Sequence, residues 1–296
     1  MEEMKRNEKK RIRLFVSDID GTLLNERSQL EQETIEAIRR FQSEGGVFML
    51  ATGRNSWEVS QVTDFIDDAV VNCVNGAMLC LESGETIFAC FVDNECVKAV
   101  SSLCREYDTP VEFHGEKATY TSWNKEAFRE RALAVFAKYR SEDANVIFDK
   151  IYENDGMKFD VPLDEIVKKR ITKIEVLFMK DDVSPILVKR CKDILPECNV
   201  VATAGMAGIE ITSKDADKAL TIKRYCKMKN IDEDEVAVVG DGENDIPMLE
   251  AFRNSYAMAN ATDKTKKAAN HIALSNRKQG AARLLNQICE ENRQAK

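Results

Sequence analysis

Apolar and polar positions alternate along the chain in a way that predicts its secondary structure. Short apolar runs at 14–16, 47–51 and 70–74 have the composition of buried strands. Apolar residues recur at helical spacing over 28–44, and a second helix is predicted from about 55 to 66. Strands and helices that alternate in this order form right-handed crossovers, so we expect a parallel sheet.

The regular alternation stops after the third strand. Two strand-like runs flank Ser83-Gly84, which is typical of a hairpin, and a mixed series of strands and helices follows as far as 212. The alternation resumes with a predicted helix at 218–228 and a strongly apolar strand at 236–240. We therefore expect an α/β parallel-sheet core formed by 1–81 and 212–296, with an α+β domain inserted at 82–211.

Polar, turn-forming residues follow three of the predicted core strands. Ligands of an open parallel sheet bind beyond the carboxyl ends of its strands, so one crevice could collect all three segments. Alone, each segment has an ordinary alternative as a surface turn, a loop or a solvated helix cap; together they predict a shared site. The three segments are Asp18-Ile-Asp20-Gly21-Thr22, Thr52-Gly53-Arg54 and Gly240-Asp241-Gly-Glu-Asn244-Asp245.

The first segment carries two carboxylates with a defined relation to each other. Asp18 and Asp20 are two positions apart, so in an extended chain their side chains project to the same side. Carboxylates placed this way repel each other and attract a hard cation that prefers oxygen ligands. Gly21 supplies the backbone freedom for a turn.

Composition narrows the possible functions. Of 296 residues, 44% are hydrophobic and 32% charged, and the net charge of -8 disfavours a surface for nucleic acid or anionic membrane. The nine cysteines include no C-x-x-C pair and are expected to be reduced, which favours a cytoplasmic protein. Because the only histidines are His114 and His271, a zinc cluster is not expected, and His114 is predicted to be a solvated strand residue.

The ordered set Asp-x-Asp-Gly-Thr, Ala-Thr-Gly-Arg, Lys218 and Gly-Asp-Gly-Glu-Asn-Asp resembles the haloacid dehalogenase superfamily of phosphohydrolases. More narrowly, it is similar to the Cof-like branch, which carries a type IIB α+β cap between the second and third motifs. The resemblance extends to Asn75-Gly76-Ala77 and to Ala257-Met-Ala-Asn-Ala261. It departs at 213–219, where family members often have Pro-Lys-Gly and Lys-Gly. The resemblance implies a Rossmann-like, three-layer α/β/α core and a cap that determines substrate specificity.

The resemblance also implies roles for the first segment. Asp18 would attack phosphorus and form an aspartyl-phosphate, and Asp20 would be the general acid and base. Gly21 and Thr22 would shape the turn that holds them. Mg²⁺ would be bound by the carboxylate of Asp18, the main-chain carbonyl of Asp20 and Asp241.

The remaining implied roles concern phosphate. Its oxygens would be bound by the hydroxyl of Thr52, the amide of Gly53 and the ammonium of Lys218. Asn244 would donate to the phosphate or orient Asp18. Arg54 and Asp245 would support the site, Asp245 by holding metal-bound water or Lys218. For Lys218 the alternative is a solvated lysine at the start of a helix.

The resemblance implies a Mg²⁺-dependent phosphatase that acts on small phosphate monoesters, with sugar phosphates and related metabolites as the expected range. The alternatives are a sugar phosphomutase that uses the same Asp pair and a non-catalytic protein that binds a phosphate ligand. We expect a small-molecule substrate as the partner, with neither nucleic acid nor membrane, and a monomer or weak dimer.

Overall fold

The computed structural model describes residues 10–56, 58–81, 83–139, 143–153, 156–180, 183–203 and 208–295. The chain divides into two compact units. The first comprises Met1–Phe88 and Asp217–Lys296, and the second is Ala89–Ala216. Within the described ranges, no helix is both long enough and apolar enough to span a membrane.

The first unit begins with the predicted alternation of strands and helices. Its first elements are β1 (Leu14–Ser17), α1 (Gln32–Ser43), β2 (Val47–Ala51), α2 (Ser60–Thr63), β3 (Val70–Cys73), β4 (Met78–Cys80) and β5 (Thr86–Ala89).

The second unit is built on a six-stranded sheet with the order β10-β11-β9-β6-β7-β8, antiparallel except for the β7–β8 pair. One face of this sheet packs Phe113 and Ile174 into an apolar core with residues of α3 and α7. The elements are α3 (Asn94–Glu106), β6 (Val111–Gly115), β7 (Thr119–Tyr120), α4 (Lys125–Tyr139), α5 (Ala144–Tyr152), β8 (Met157–Lys158), α6 (Leu163–Ile166), β9 (Ile171–Val176), α7 (Ser184–Ile194), β10 (Cys198–Thr203) and β11 (Gly208–Ser213).

The remaining elements complete the first unit. They are α8 (Lys218–Lys229), β12 (Val236–Gly240), α9 (Ile246–Ala251), β13 (Asn254–Met258), α10 (Asp263–Ala268), β14 (His271–Ala273) and α11 (Gly280–Gln294).

The sheet of the first unit has the order β14-β13-β12-β1-β2-β3-β4-β5, and it is parallel from β14 to β3. Alternate residues of its central strands face opposite layers. Leu14 and Val16 pack with Tyr225 of α8, whereas the ring of Phe15 contacts Phe41 of α1. Helices therefore cover both faces, and the predicted α/β class with a parallel-sheet core is confirmed.

The strand order places three of the predicted polar segments side by side. Strand β1 lies between β12 and β2, and its last residue, Ser17, is in register with Val239 and Leu50. The chain leaves all three strands at the same edge, so the first, second and last motifs begin as neighbours.

The helices differ from the prediction in two regions. The helix expected from 55 to 66 is the single turn α2, in a segment where β-branched Val59, Val62 and Thr63 disfavour a longer helix. Conversely, α5 was not predicted. Its signals are Asp143, whose carboxylate accepts from the backbone of Asn145, and a buried apolar stripe that includes Phe148.

Candidate active site

The loop after β1 is closed tightly against the last motif. The backbone N–H of Asp18 donates to the carbonyl of Val239 at 3.0 Å, which continues the β1–β12 pairing by one residue. Gly21 has a φ of +79°, and a Cβ there would lie 2.2 Å from Oδ2 of Asp241. Glycine is required at this position for two reasons, the left-handed backbone and the approach of the Asp241 carboxylate.

Lys218 joins two carboxylates from different motifs. Its Nζ donates to Oδ1 of Asp18 at 3.0 Å and to Oδ1 of Asp245 at 2.6 Å, and its side chain is 1% exposed. Burial lowers the pKa of the Lys218 amine, but Asp18 and Asp245 outweigh burial and raise that pKa above its usual value. The ammonium is therefore charged at neutral pH, and the alternative of a solvated lysine is wrong.

Asp245 organises the loop that follows β12. Its Oδ2 accepts from the backbone N–H groups of Asp241 at 3.0 Å and Gly242 at 2.9 Å, while Oδ1 accepts from Lys218. A Cβ on Gly240 would lie 2.5 Å from Cγ of Asp245, so the strand end also fits closely around this carboxylate. With both oxygens engaged by protein donors, Asp245 positions Lys218 and the loop.

Three carboxylates converge near Lys218. Oxygen atoms of Asp18, Asp241 and Asp245 all lie within 4.8 Å of one another. Thr22 fixes Asp241 by donating its hydroxyl to Oδ1 at 2.7 Å. Burial raises the pKa of Asp241 to about 6, although that hydrogen bond acts to lower it. The pKa of Asp18 is also raised, by burial and by the negative charge of Asp245. The donors around this space are the oxygen ligands that Mg²⁺ prefers.

Asp20 is paired with an arginine from the second motif. Arg54 donates from Nε to Oδ2 of Asp20 at 2.7 Å and from Nη2 to Oδ1 at 2.6 Å, a bidentate pair. The Asp20 side chain is 56% exposed, in contrast to the buried Asp18. The two carboxylates of the first motif therefore have different environments.

The predicted phosphate-binding residues of the second and last motifs meet at Asn75. Asn244 donates from Nδ2 to Oδ1 of Asn75 at 3.0 Å, and a Cβ on Gly53 would lie 3.0 Å from the same oxygen. Thr52 is buried, and its hydroxyl accepts from the backbone N–H of Arg54 at 3.1 Å. Sequence reasoning gave Asn75 no role. Its signal was Asn-Gly directly after a buried strand.

Asn260 is a second position that sequence reasoning missed. It follows β13, and its Nδ2 donates to the carbonyl of Gly21 at 2.8 Å and to Oδ2 of Asp241 at 3.3 Å. Its Oδ1 accepts from the backbone N–H of Asn276 at 3.0 Å. Asn260 thus links the first and last motifs, and its signal was a fourth polar residue at the end of a predicted strand.

The fold and these motifs define a family. A sequence model of the haloacid dehalogenase-like hydrolases matches residues 15–285, so the chain belongs to this family and is an enzyme of the hydrolase class. The resemblance seen in the ordered motifs is confirmed.

Named relatives and a solved structure agree with this assignment. The chain is 25% identical over 289 residues to phosphatase YwpJ of Bacillus subtilis, covering 94% of this chain and 100% of YwpJ. It is 24% identical over 282 residues to the 5-amino-6-(5-phospho-D-ribitylamino)uracil phosphatase YwtE of the same organism, covering 92% and 96%. The structure of a haloacid dehalogenase-like hydrolase from B. subtilis, 25% identical, superposes with a TM-score of 0.78 over 93% of this chain and 99% of the other.

Proposed function

We propose that this hydrolase is a Mg²⁺-dependent phosphatase that cleaves small phosphate monoesters through an aspartyl-phosphate. The observation that carries this proposal is the buried ammonium of Lys218, held between Asp18 and Asp245 with Asp241 beside them. A site that concentrates carboxylates around one fixed cation is suited to binding a metal and the oxygens of a phosphoryl group.

Asp18 is the nucleophile in this proposal. Lys218 fixes its carboxylate and offsets part of the negative charge that an incoming phosphate dianion would meet. An oxygen of Asp18 forms the new bond to phosphorus as the bond to the leaving oxygen breaks. Asp20 donates a proton to that oxygen, and then accepts one from the water that hydrolyses the aspartyl-phosphate. The bidentate contact with Arg54 holds Asp20 as a carboxylate, the form that accepts the proton of water; to act as the acid, Asp20 takes up a proton and releases one oxygen from Arg54.

The residues fit Mg²⁺ as the cofactor. The carboxylates of Asp18 and Asp241 and the main-chain carbonyl of Asp20 would hold it, which is an all-oxygen set. The raised pKa of Asp241, about 6, reflects a buried carboxylate with too little positive charge near it, and a dication would supply that charge. When bound, Mg²⁺ neutralises charge on the phosphoryl oxygens.

In this proposal, the residues around Asn75 bind the phosphate. We assign the hydroxyl of Thr52, the amide of Gly53 and the side chain of Asn244 as donors to the phosphoryl oxygens, together with Lys218. The contact between Asn244 and Asn75 supports this assignment, because it fixes the orientation of the Asn244 amide.

The second unit is, in this proposal, the cap that selects the leaving group. The relative YwtE is named for a phosphorylated ribityl compound, so phosphorylated polyols and sugars are the substrates to screen first. We further propose that the enzyme acts in the cytoplasm as a monomer or weak dimer.

The test is a phosphate-release screen over a panel of monoesters, with Mg²⁺ and with chelator, which also analyses hexose phosphates for isomers. We expect inorganic phosphate only when Mg²⁺ is present. Accumulation of an isomer without phosphate would replace the phosphatase by a mutase, and no product from any monoester would indicate a non-catalytic protein.

A further inference from the structure

The second unit contains a buried cluster of charged side chains on the polar face of its sheet. Glu112 and His114 lie on β6, and their cross-strand partners on β9 are Glu175 and Lys173. Residues two apart on a strand share a face, so these four side chains are neighbours. His114 is 3% and Glu112 is 4% exposed, so the prediction that His114 is solvated was wrong.

The geometry of the cluster centres on Nε2 of His114. This atom lies 2.9 Å from Oε2 of Glu175 and 3.4 Å from Oε2 of Glu112. Ligand atoms bonded to one dication at roughly 2.0–2.2 Å, with angles between octahedral and tetrahedral, are about 2.8 to 3.6 Å apart, a range that includes both distances. The ring is oriented from its other side, because Nδ1 lies 3.0 Å from the hydroxyl of Thr119. A polar partner on the second nitrogen is characteristic of metal-binding histidines.

Charge also favours a cation here. Glu175 is in register with Glu210 on its other side, so three glutamates lie side by side across β6, β9 and β11. Lys173 supplies one ammonium, which donates to Oε1 of Glu175 at 2.7 Å and leaves Oε2 directed at His114. The three glutamates and Lys173 together have a net charge of -2, which one dication would balance.

We propose that Glu112, His114 and Glu175 bind a transition-metal dication of the Zn²⁺ class, at a site separate from the Mg²⁺ site of the first unit. An imidazole nitrogen beside two carboxylates favours such a metal over Mg²⁺. The expectation of no zinc cluster rested on the low histidine content. It did not consider that a glutamate on a neighbouring strand can also be a ligand. The rival interpretation is an imidazolium of His114 that bridges the two glutamates without metal.

The experiment measures Zn²⁺ binding to the full chain. Because Sγ of Cys96 and Sγ of Cys198 are 3.7 Å apart and could hold zinc themselves, the titration uses a Cys96→Ser, Cys198→Ser background. The protein is freed of metal with a chelator, dialysed, and titrated calorimetrically with Zn²⁺ in saturating Mg²⁺. We expect one equivalent to bind, and His114→Ala to weaken that binding at least 10-fold.

Two matched variants separate this site from others. His271→Ala removes the other histidine of the chain, which is exposed, and should leave Zn²⁺ binding unchanged. Asp241→Asn alters the proposed Mg²⁺ site and should also retain Zn²⁺ binding, so failure of the phosphatase proposal and failure of this one are distinguishable.

The proposal is overturned if the background protein binds no Zn²⁺, or if His114→Ala binds it as tightly as the background protein does. Glu175→Gln provides a second variant that keeps side-chain volume. Circular dichroism of each variant shows whether a loss of Zn²⁺ binding results from unfolding. Any variant that unfolds is replaced by His114→Gln.

Discussion

At the scale of single residues, Lys218 is the group on which the candidate site depends most. An ammonium that is 1% exposed is tolerated because Asp18 and Asp245 both accept from it. The same contacts make the three side chains interdependent, since removing the cation would leave two buried carboxylates close together.

We therefore predict that Lys218→Met lowers the free energy of unfolding by about 3–5 kcal/mol and abolishes phosphate release. Chemical denaturation measures the first effect and a phosphate assay the second. Lys223→Met, on the same helix with its side chain 38% exposed, is the matched control and should change stability by under about 1 kcal/mol. Equal stability losses in the two variants would contradict the buried bridge.

The pKa of Asp241 leads to a prediction about pH. In the metal-free protein this pKa is raised from 3.8 to about 6, so the stability that the group contributes is complete below 3.8 and is lost as the pH rises through 6. If Asp241 is a Mg²⁺ ligand as we propose, the metal would bind its ionised carboxylate, and the Mg²⁺ affinity should therefore increase as the pH rises through 6. We expect Mg²⁺ to raise the Tm more at about pH 8 than at about pH 5. An equal rise at both pH values would exclude Asp241 as a ligand.

At the scale of elements, the turn after β1 combines a left-handed backbone conformation with a close contact to a site residue. Gly21 and Gly84 both have a φ of +79°, but only Gly21 has a neighbour within 4 Å of an added Cβ, namely the Asp241 carboxylate. Substitutions at these two glycines can therefore be compared. Their difference separates the free-energy cost of a left-handed backbone from the free-energy cost of displacing a site residue.

Gly84→Ala should cost only the backbone strain, roughly 1–2 kcal/mol. We predict that Gly21→Ala costs more than this and also weakens Mg²⁺ binding, because its methyl group displaces Asp241. Denaturation curves and Mg²⁺ titrations of the two variants make the comparison. If both variants lose the same stability and bind Mg²⁺ normally, the loop does not position Asp241.

Sequence patterns predicted these elements best where apolar runs were long. Strand β12 and the polar segment from Asp241 to Asp245 were evident because a buried parallel strand is almost entirely apolar. Asn75 and Asn260 were given no role, because a single asparagine after a strand looks like any turn residue. The Glu112, His114 and Glu175 cluster was not predictable, since it depends on the register of β6 against β9, which the sequence does not reveal.

At the scale of the whole molecule, the ordered motifs predicted more than local patterns could. They indicated the family and its Rossmann-like core. The position of β1 between β2 and β12 was not predicted and is known from the structure. The bidentate contact between Asp20 and Arg54 was not anticipated, because it joins side chains from neighbouring loops. The substrate is also beyond the motifs, since the residues we propose to bind phosphate would contact only the group that all monoesters share.

The most direct test of the account is the mass of the Asp18 peptide after an acid quench early in turnover. With a substrate from the screen and Mg²⁺ present, we predict that this peptide gains the mass of one phosphoryl group and loses it as turnover ends. Asp18→Asn should show neither the adduct nor phosphate release, while it retains the wild-type circular dichroism spectrum. Phosphate release by Asp18→Asn near the wild-type rate, or an adduct on a different residue, would contradict the assignment of Asp18 as the nucleophile.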